Sequence, residues 1–211
     1  MRVTPYNPLD KAALARSIEA EILRRDPVSL LTCASIVGAG VYAIYYNGPF
    51  APYAPLAASP FDTPIYVGKA IPKGGRKGGL SLDSGSGKSL ADRLMKHAGS
   101  VNAANNIEVT NFFVRHLVVE DIWIPLGENV LIETFSPLWN QVVDGFGNND
   151  PGGRRATQYR SSWDVLHPGR AWAAKLAASP LTDVDVVKRV ADFFAGRITP
   201  EVDSRDEEDE D

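Results

Sequence analysis

Gly40-Val41-Tyr42-Ala43-Ile44-Tyr45-Tyr46 and Tyr66-Val67-Gly68-Lys69-Ala70 are the two stretches that decide the fold of this chain. The run Val41–Tyr46 is β-branched and aromatic, too short for a helix, opened by Gly38 and Gly40 and ended by Asn47-Gly48, so it predicts a strand. A second strand is predicted over Ile65–Lys69. Between them, 49–64 is too rich in proline for a helix or a central strand and reads as a surface loop. Strand, loop and strand make a long hairpin. Because side chains alternate along a strand, pairing the two can put Tyr42 and Tyr66, 24 residues apart, on one sheet face. Either tyrosine taken alone reads equally well as a cross-strand packing aromatic.

Working outward, apolar residues at helical spacing over Leu9–Arg25 predict an N-terminal helix that Asp26-Pro27 stops. After the hairpin, 72–87 is rich in glycine and carries Lys73, Arg76 and Lys77. That segment is either a plain loop or a phosphate clamp. A helix follows over Lys88–Ala98, with Leu90, Leu94 and Met95 on its apolar face and Ser89 as its cap. Val109–Val119 reads as a third strand and Trp123–Phe135 as a helix closed by Ser136-Pro137. Beyond a turn-rich loop (145–153) and a basic stretch (154–160), helices are expected at Trp172–Leu176 and Val184–Phe194. The order β-β-α-β-α between an N-terminal helix and a mostly helical C-terminal part is an α+β arrangement. It divides as a helical arm (1–37), a core (38–150), a basic loop with C-terminal helices (151–200) and an acidic tail (201–211).

A chain of 211 residues can bury a sufficient core without cross-links. Its single cysteine, Cys33, excludes an internal disulfide and a cysteine-type zinc site. No run approaches the roughly 20 apolar residues a membrane span needs, and the N-terminus lacks a secretion pattern, so no membrane partner and a cytoplasmic location are expected. The net charge of -4 is unevenly spread. Of 26 acidic and 22 basic residues, eight acidic and one basic lie in 201–211, which leaves the body at about +3. Such a tail is solubilising, or it screens a basic face. Walker, dinucleotide-binding, H-E-x-x-H and G-x-S-x-G motifs are absent.

The polar residues that remain form a different pattern. Arg93 and His97, four apart on a predicted helix, share one face. Glu128 falls on the exposed first turn of the next long helix, with Leu131 and Ile132 inward, and Trp139-Asn140 follows twelve residues later. Glu133, on the same helix, is a rival carboxylate.

In this order, G-V-Y, Y-V-G-K-A, R-x-x-x-H and E-N-x-L-I followed by P-x-W-N resemble the GIY-YIG nuclease superfamily over about residues 38–140. The resemblance implies a central three-stranded antiparallel sheet flanked by helices, here with N- and C-terminal helical extensions. It also implies phosphodiester cleavage with one Mg²⁺ per active site, Mn²⁺ being an acceptable substitute. Matched residue by residue, Tyr42 and Tyr66 are the paired motif tyrosines, Arg93 the helix arginine, His97 the histidine after it, Glu128 the metal carboxylate and Asn140 the late asparagine. The general base is Tyr42 passing its proton to His97, with Tyr66 and His97 as alternatives.

Short extensions, the G-V-Y-A-I-Y-Y-N-G and Y-V-G-K-A text and the segment G-F-G-N-N-D-P-G-G-R-R look like the small branch of type II restriction enzymes that cuts the palindrome CCGCGG. That resemblance implies a homodimer acting on double-stranded DNA. Lys69, Lys73, Arg76, Lys77, Arg154, Arg155 and Arg160 are the candidate DNA-binding residues, as base readers or phosphate contacts. The competing expectations are a structure-specific repair or recombination nuclease, and a DNA-binding protein that keeps the fold without cutting.

Overall fold

The computed structural model describes residues 11–72, 87–152 and 157–198. Its frame is an antiparallel sheet of four strands: β1 (Val28–Ser29), β2 (Gly40–Tyr46), β3 (Tyr66–Ala70) and β4 (Phe112–Val118), in the order β1-β4-β2-β3. The three expected strands are all present. The two residues of β1 add an edge strand outside β4, with Val28 opposite Val114. Every residue of β2 is buried, as its uninterrupted apolar sequence requires of a central strand covered on both faces.

The alternation of β2 sorts the core into two layers. Val41, Ala43 and Tyr45 face a cluster built with Ile22, Leu117, Ile124 and Leu131. That cluster draws on α1 (Lys11–Leu23) and α4 (Ile124–Phe135). Tyr42, Ile44 and Tyr46 face the larger cluster. There the sheet is covered by α3 (Ser89–Ala103), α5 (Leu138–Gln141), α6 (Ser162–Leu166) and α7 (Asp183–Phe194), which contribute Leu94, Trp139, Trp163 and Val190. Cys33 is buried here as a free thiol, and burial pushes its pKa up to about 11.

Several sequence expectations change. The 49–64 stretch is not simply a surface loop. It holds a 3-10 turn (Ala51–Tyr53) running into the short helix α2 (Ala54–Ala58), and Tyr53 has no exposed surface. Prolines near the starts of these turns cost no hydrogen bond, which is why a proline-rich text still coils. Ser89 is not the cap of α3: the capping position is Lys88, without a side-chain bond. Trp172–Leu176 shrinks to a 3-10 turn over Ala173–Lys175. No described helix is long and apolar enough to cross a membrane.

Candidate active site

The register of the hairpin brings the two motif tyrosines together. Tyr42 lies opposite Gly68 and Tyr66 opposite Ile44, so the tyrosines are diagonal neighbours on one face with ring centres 6.3 Å apart. A side chain at Gly68 would collide with the Tyr42 hydroxyl, so the glycine of Y-V-G makes room for the ring across from it. The α3 helix lies over this face. One turn apart on it, His97 and Arg93 both approach the tyrosines: the Tyr42 hydroxyl and His97 Nε2 are 2.6 Å apart, and the Arg93 guanidinium is close enough to pull the pKa of both phenols down.

The electrostatics keep both partners of the tyrosine–histidine bond uncharged. Burial, then the nearby Arg93, Arg170 and Lys96 cations, hold His97 well below its ordinary pKa of 6.5. Burial and the neighbouring Tyr66 push Tyr42 well above 10, while Arg93 pulls the other way. At neutral pH the imidazole is therefore uncharged, and in the tautomer with its proton on Nδ1 the Nε2 atom accepts from the phenol. Tyr42 has no exposed surface, whereas Tyr66 is half-buried.

Glu128 reaches the site from α4, past the edge strand β3. Its carboxylate receives Lys69 at 2.8 Å and is close enough to raise both tyrosines. Its side chain is only 15 % exposed, which corrects the exposed placement expected from sequence. In the helix the residue lies on the second turn and faces the sheet edge rather than solvent. Glu133 is exposed and five residues further on, about 140° round the helix, so it does not share this position.

Asn140 is an anchor. Its amide accepts from the Val67 N–H at 2.8 Å and donates to the Val67 carbonyl at 2.9 Å. It thereby pairs with the open side of β3 as another strand would. Trp139 N–H adds a bond to the Ile65 carbonyl at 2.8 Å.

Of the other sequence candidates, Lys69 is at the site. Arg160 is half-buried and donates to the Ala174 carbonyl at 3.4 Å. Lys73, Arg76, Lys77, Arg154 and Arg155 lie outside the described residues.

Two features were not read from the sequence. Phe146 stacks on His97 at 4.5 Å and 17°. It belongs to the G-F-G-N segment, Gly145–Asn148. The second is a buried network behind the site. The Tyr53 hydroxyl bonds His167 Nε2 at 2.5 Å, His167 Nδ1 bonds Asn106 Oδ1 at 2.8 Å, and the Trp139 indole donates to Tyr53 at 2.9 Å.

Burial lowers His167 to about 3, and His97 and His116 move the same way. These groups stay neutral in the fold but take up protons in the unfolded chain below about pH 6.5, so stability must fall as pH falls through that value. Between pH 7.5 and 5.5, urea unfolding should show a loss on the order of 1 kcal/mol for each of His97 and His167. Equal or greater stability at pH 5.5 contradicts the neutral, buried assignment.

Among the described residues no cluster of three or more histidine, cysteine or acidic side chains could cage a metal. One largely buried carboxylate beside phenol oxygens is instead the donor set of a hard cation that keeps most of its waters and relies on substrate oxygens. Glu128, already paired with a cation, fits that role.

Residues 34–194 match the family described as the Eco29kI GIY-YIG domain. A comparison with curated proteins found no match. The matched span runs from the end of the 3-10 turn Leu30–Ser35, just before β2, to the last residue of α7, so the C-terminal helices are covered together with β2, β3, β4 and the tyrosine pair. The chain therefore belongs to the Eco29kI GIY-YIG family of restriction endonucleases.

Proposed function

We propose that this nuclease hydrolyses both strands of duplex DNA at one palindromic, GC-rich sequence, as a magnesium-dependent type II restriction enzyme. Tyr42, bonded at 2.6 Å to a histidine that burial keeps neutral, is the observation that carries this reading.

Glu128, with Lys69 exchanged away from it, would hold one Mg²⁺, whose charge would offset that on the scissile phosphate and the leaving oxygen. Arg93 supplies the permanent, planar cation for a phosphate oxygen. Tyr42 is the general base: its proton passes to His97 Nε2 as its oxygen takes one from the attacking water. Since Tyr42 has no exposed surface, that water reaches it only once neighbouring side chains give way to the bound phosphate. Arg93 beside the phenol favours the phenolate that the step requires. Tyr66, half-buried at the mouth, orients the water or a phosphate. Asn140 takes no part in bond breaking and holds β3, and with it Tyr66 and Lys69, in register.

A palindrome cut on both strands calls for two copies of the site, and a homodimer with one site per strand supplies them. Arg and Lys pair with guanine edges in the major groove, which suits a GC-rich target. Lys73, Arg76, Lys77, Arg154 and Arg155 are proposed for that reading or for phosphate contact. Arg160 and Lys69 are assigned to phosphates, and Mn²⁺ is expected to replace Mg²⁺. The test is cleavage of unmethylated DNA, in which all fragment ends should share one palindromic sequence; unrelated ends would overturn the reading.

A further inference from the structure

Arg170 is nearly inaccessible to solvent, paired with an equally hidden Asp164: the side chains are 3 % and 2 % exposed. Their contact is a two-pronged fork, with Nε donating to Oδ1 and Nη2 to Oδ2, each at 2.7 Å. Ser161, which caps α6, donates to the same carboxylate at 2.8 Å. The remaining guanidinium donors go to one loop. Nη2 reaches the Gly145 carbonyl at 2.9 Å, and Nη1 reaches those of Phe146 at 3.2 Å and Asn148 at 3.4 Å. All five N–H groups of the fork thus have acceptors, which is what burying a permanent cation demands. The rings of Trp163 and Trp172 cover the guanidinium at 4.5 and 4.6 Å.

The loop held in this way forms a wall of the nuclease site. Phe146 stacks on His97 and meets the Tyr66 ring edge-on at 5.1 Å. The Gly147 carbonyl accepts from Arg93 Nη2 at 3.2 Å. A Cβ at Gly147 would stand 2.8 Å from the Tyr66 hydroxyl and 3.1 Å from that guanidinium, so the backbone itself is the contact surface. One short loop therefore fixes the ring plane of His97 and the reach of Arg93.

We propose that Arg170, clamped by Asp164, is a positioning residue for cleavage: through the 145–148 loop it seats Phe146 on His97 and the Gly147 carbonyl on Arg93. Buried as it is, Arg170 touches no DNA. Lysine keeps the charge but offers three donors from a point, so it cannot hold three carbonyls and a carboxylate at once. The inference rests on the reading of Tyr42, His97 and Arg93 as the cutting site.

Its test is a set of single-turnover cleavage rates on duplex DNA in Mg²⁺, with DNA affinity measured alongside. Phe146→Leu keeps the core filled while removing the stack on His97. Its rate should fall about tenfold or more, with the Kd for DNA changed less than about threefold. Arg170→Lys should fall at least as far. If that variant does not fold, Arg170→Gln combined with Asp164→Asn, which removes both buried charges together, takes its place. In a Tyr42→Phe background, Phe146→Leu should cost less than about threefold more, because the proton path it serves is already gone.

Wild-type rates in Phe146→Leu or in the Arg170 variant overturn the inference, as does a full, multiplicative loss from Phe146→Leu in the Tyr42→Phe background. Those outcomes leave the site itself standing. A wild-type rate for Tyr42→Phe alone strikes the reading on which the inference depends.

Discussion

Glu128→Gln is expected to lower the cleavage rate by about 10³-fold or more while duplex binding stays within a few-fold of the unaltered protein. The glutamine has nearly the same shape but no charge, so it cannot replace a carboxylate ligand to a divalent cation. Losing about 4 kcal/mol of charge stabilisation in the transition state corresponds to that factor. The fold should tolerate the change, because Glu128 sits at the edge of the core and its partner Lys69 is 38 % exposed and can turn to solvent. Cleavage and gel-shift assays on the same preparation separate the two effects. Full activity would move the carboxylate role to Glu133, against its exposed position on another side of α4.

Tyr42→Phe is the second large effect. It deletes one oxygen from a filled core position and leaves His97 Nε2 without its 2.6 Å partner. An unmade buried bond costs stability of about 1–3 kcal/mol, which thermal melting would register. The cleavage rate should fall much further, by about 10²–10⁴-fold, the usual contribution of a positioned base. Tyr66→Phe serves as the comparison, because Tyr66 lacks the histidine acceptor and should lose less. A near-normal rate in Tyr42→Phe would shift the base role to Tyr66 or His97.

What could be read from sequence follows from how local each signal is. The strands around Tyr42 and Tyr66, the Arg93–His97 pair on α3 and the helix of Glu128 were legible because each rests on a short period or a turn of helix. Their convergence was legible only through the ordered motifs of the family, since nothing in the spacing alone brings Glu128 past β3 to Lys69. The clamp on the site was hidden for the same reason: Arg170 acts on Gly145, 25 positions away, and Tyr53 finds His167 across 114 positions. Tyr53 sits among prolines that suggested an outer loop, and only the tertiary packing shows it as core. Two-residue β1 carries too few side chains for any period to be seen. The Asn140 pairing with Val67 likewise spans 73 positions.

The central claim is metal-dependent, sequence-specific cutting of duplex DNA. The measurement that meets it most directly is incubation of the purified protein with unmethylated phage DNA, in Mg²⁺ and in EDTA, resolved on a gel. Discrete fragments in Mg²⁺ and intact DNA in EDTA are the predicted result. A smear in Mg²⁺, cutting confined to branched DNA, or unchanged cutting in EDTA would contradict it.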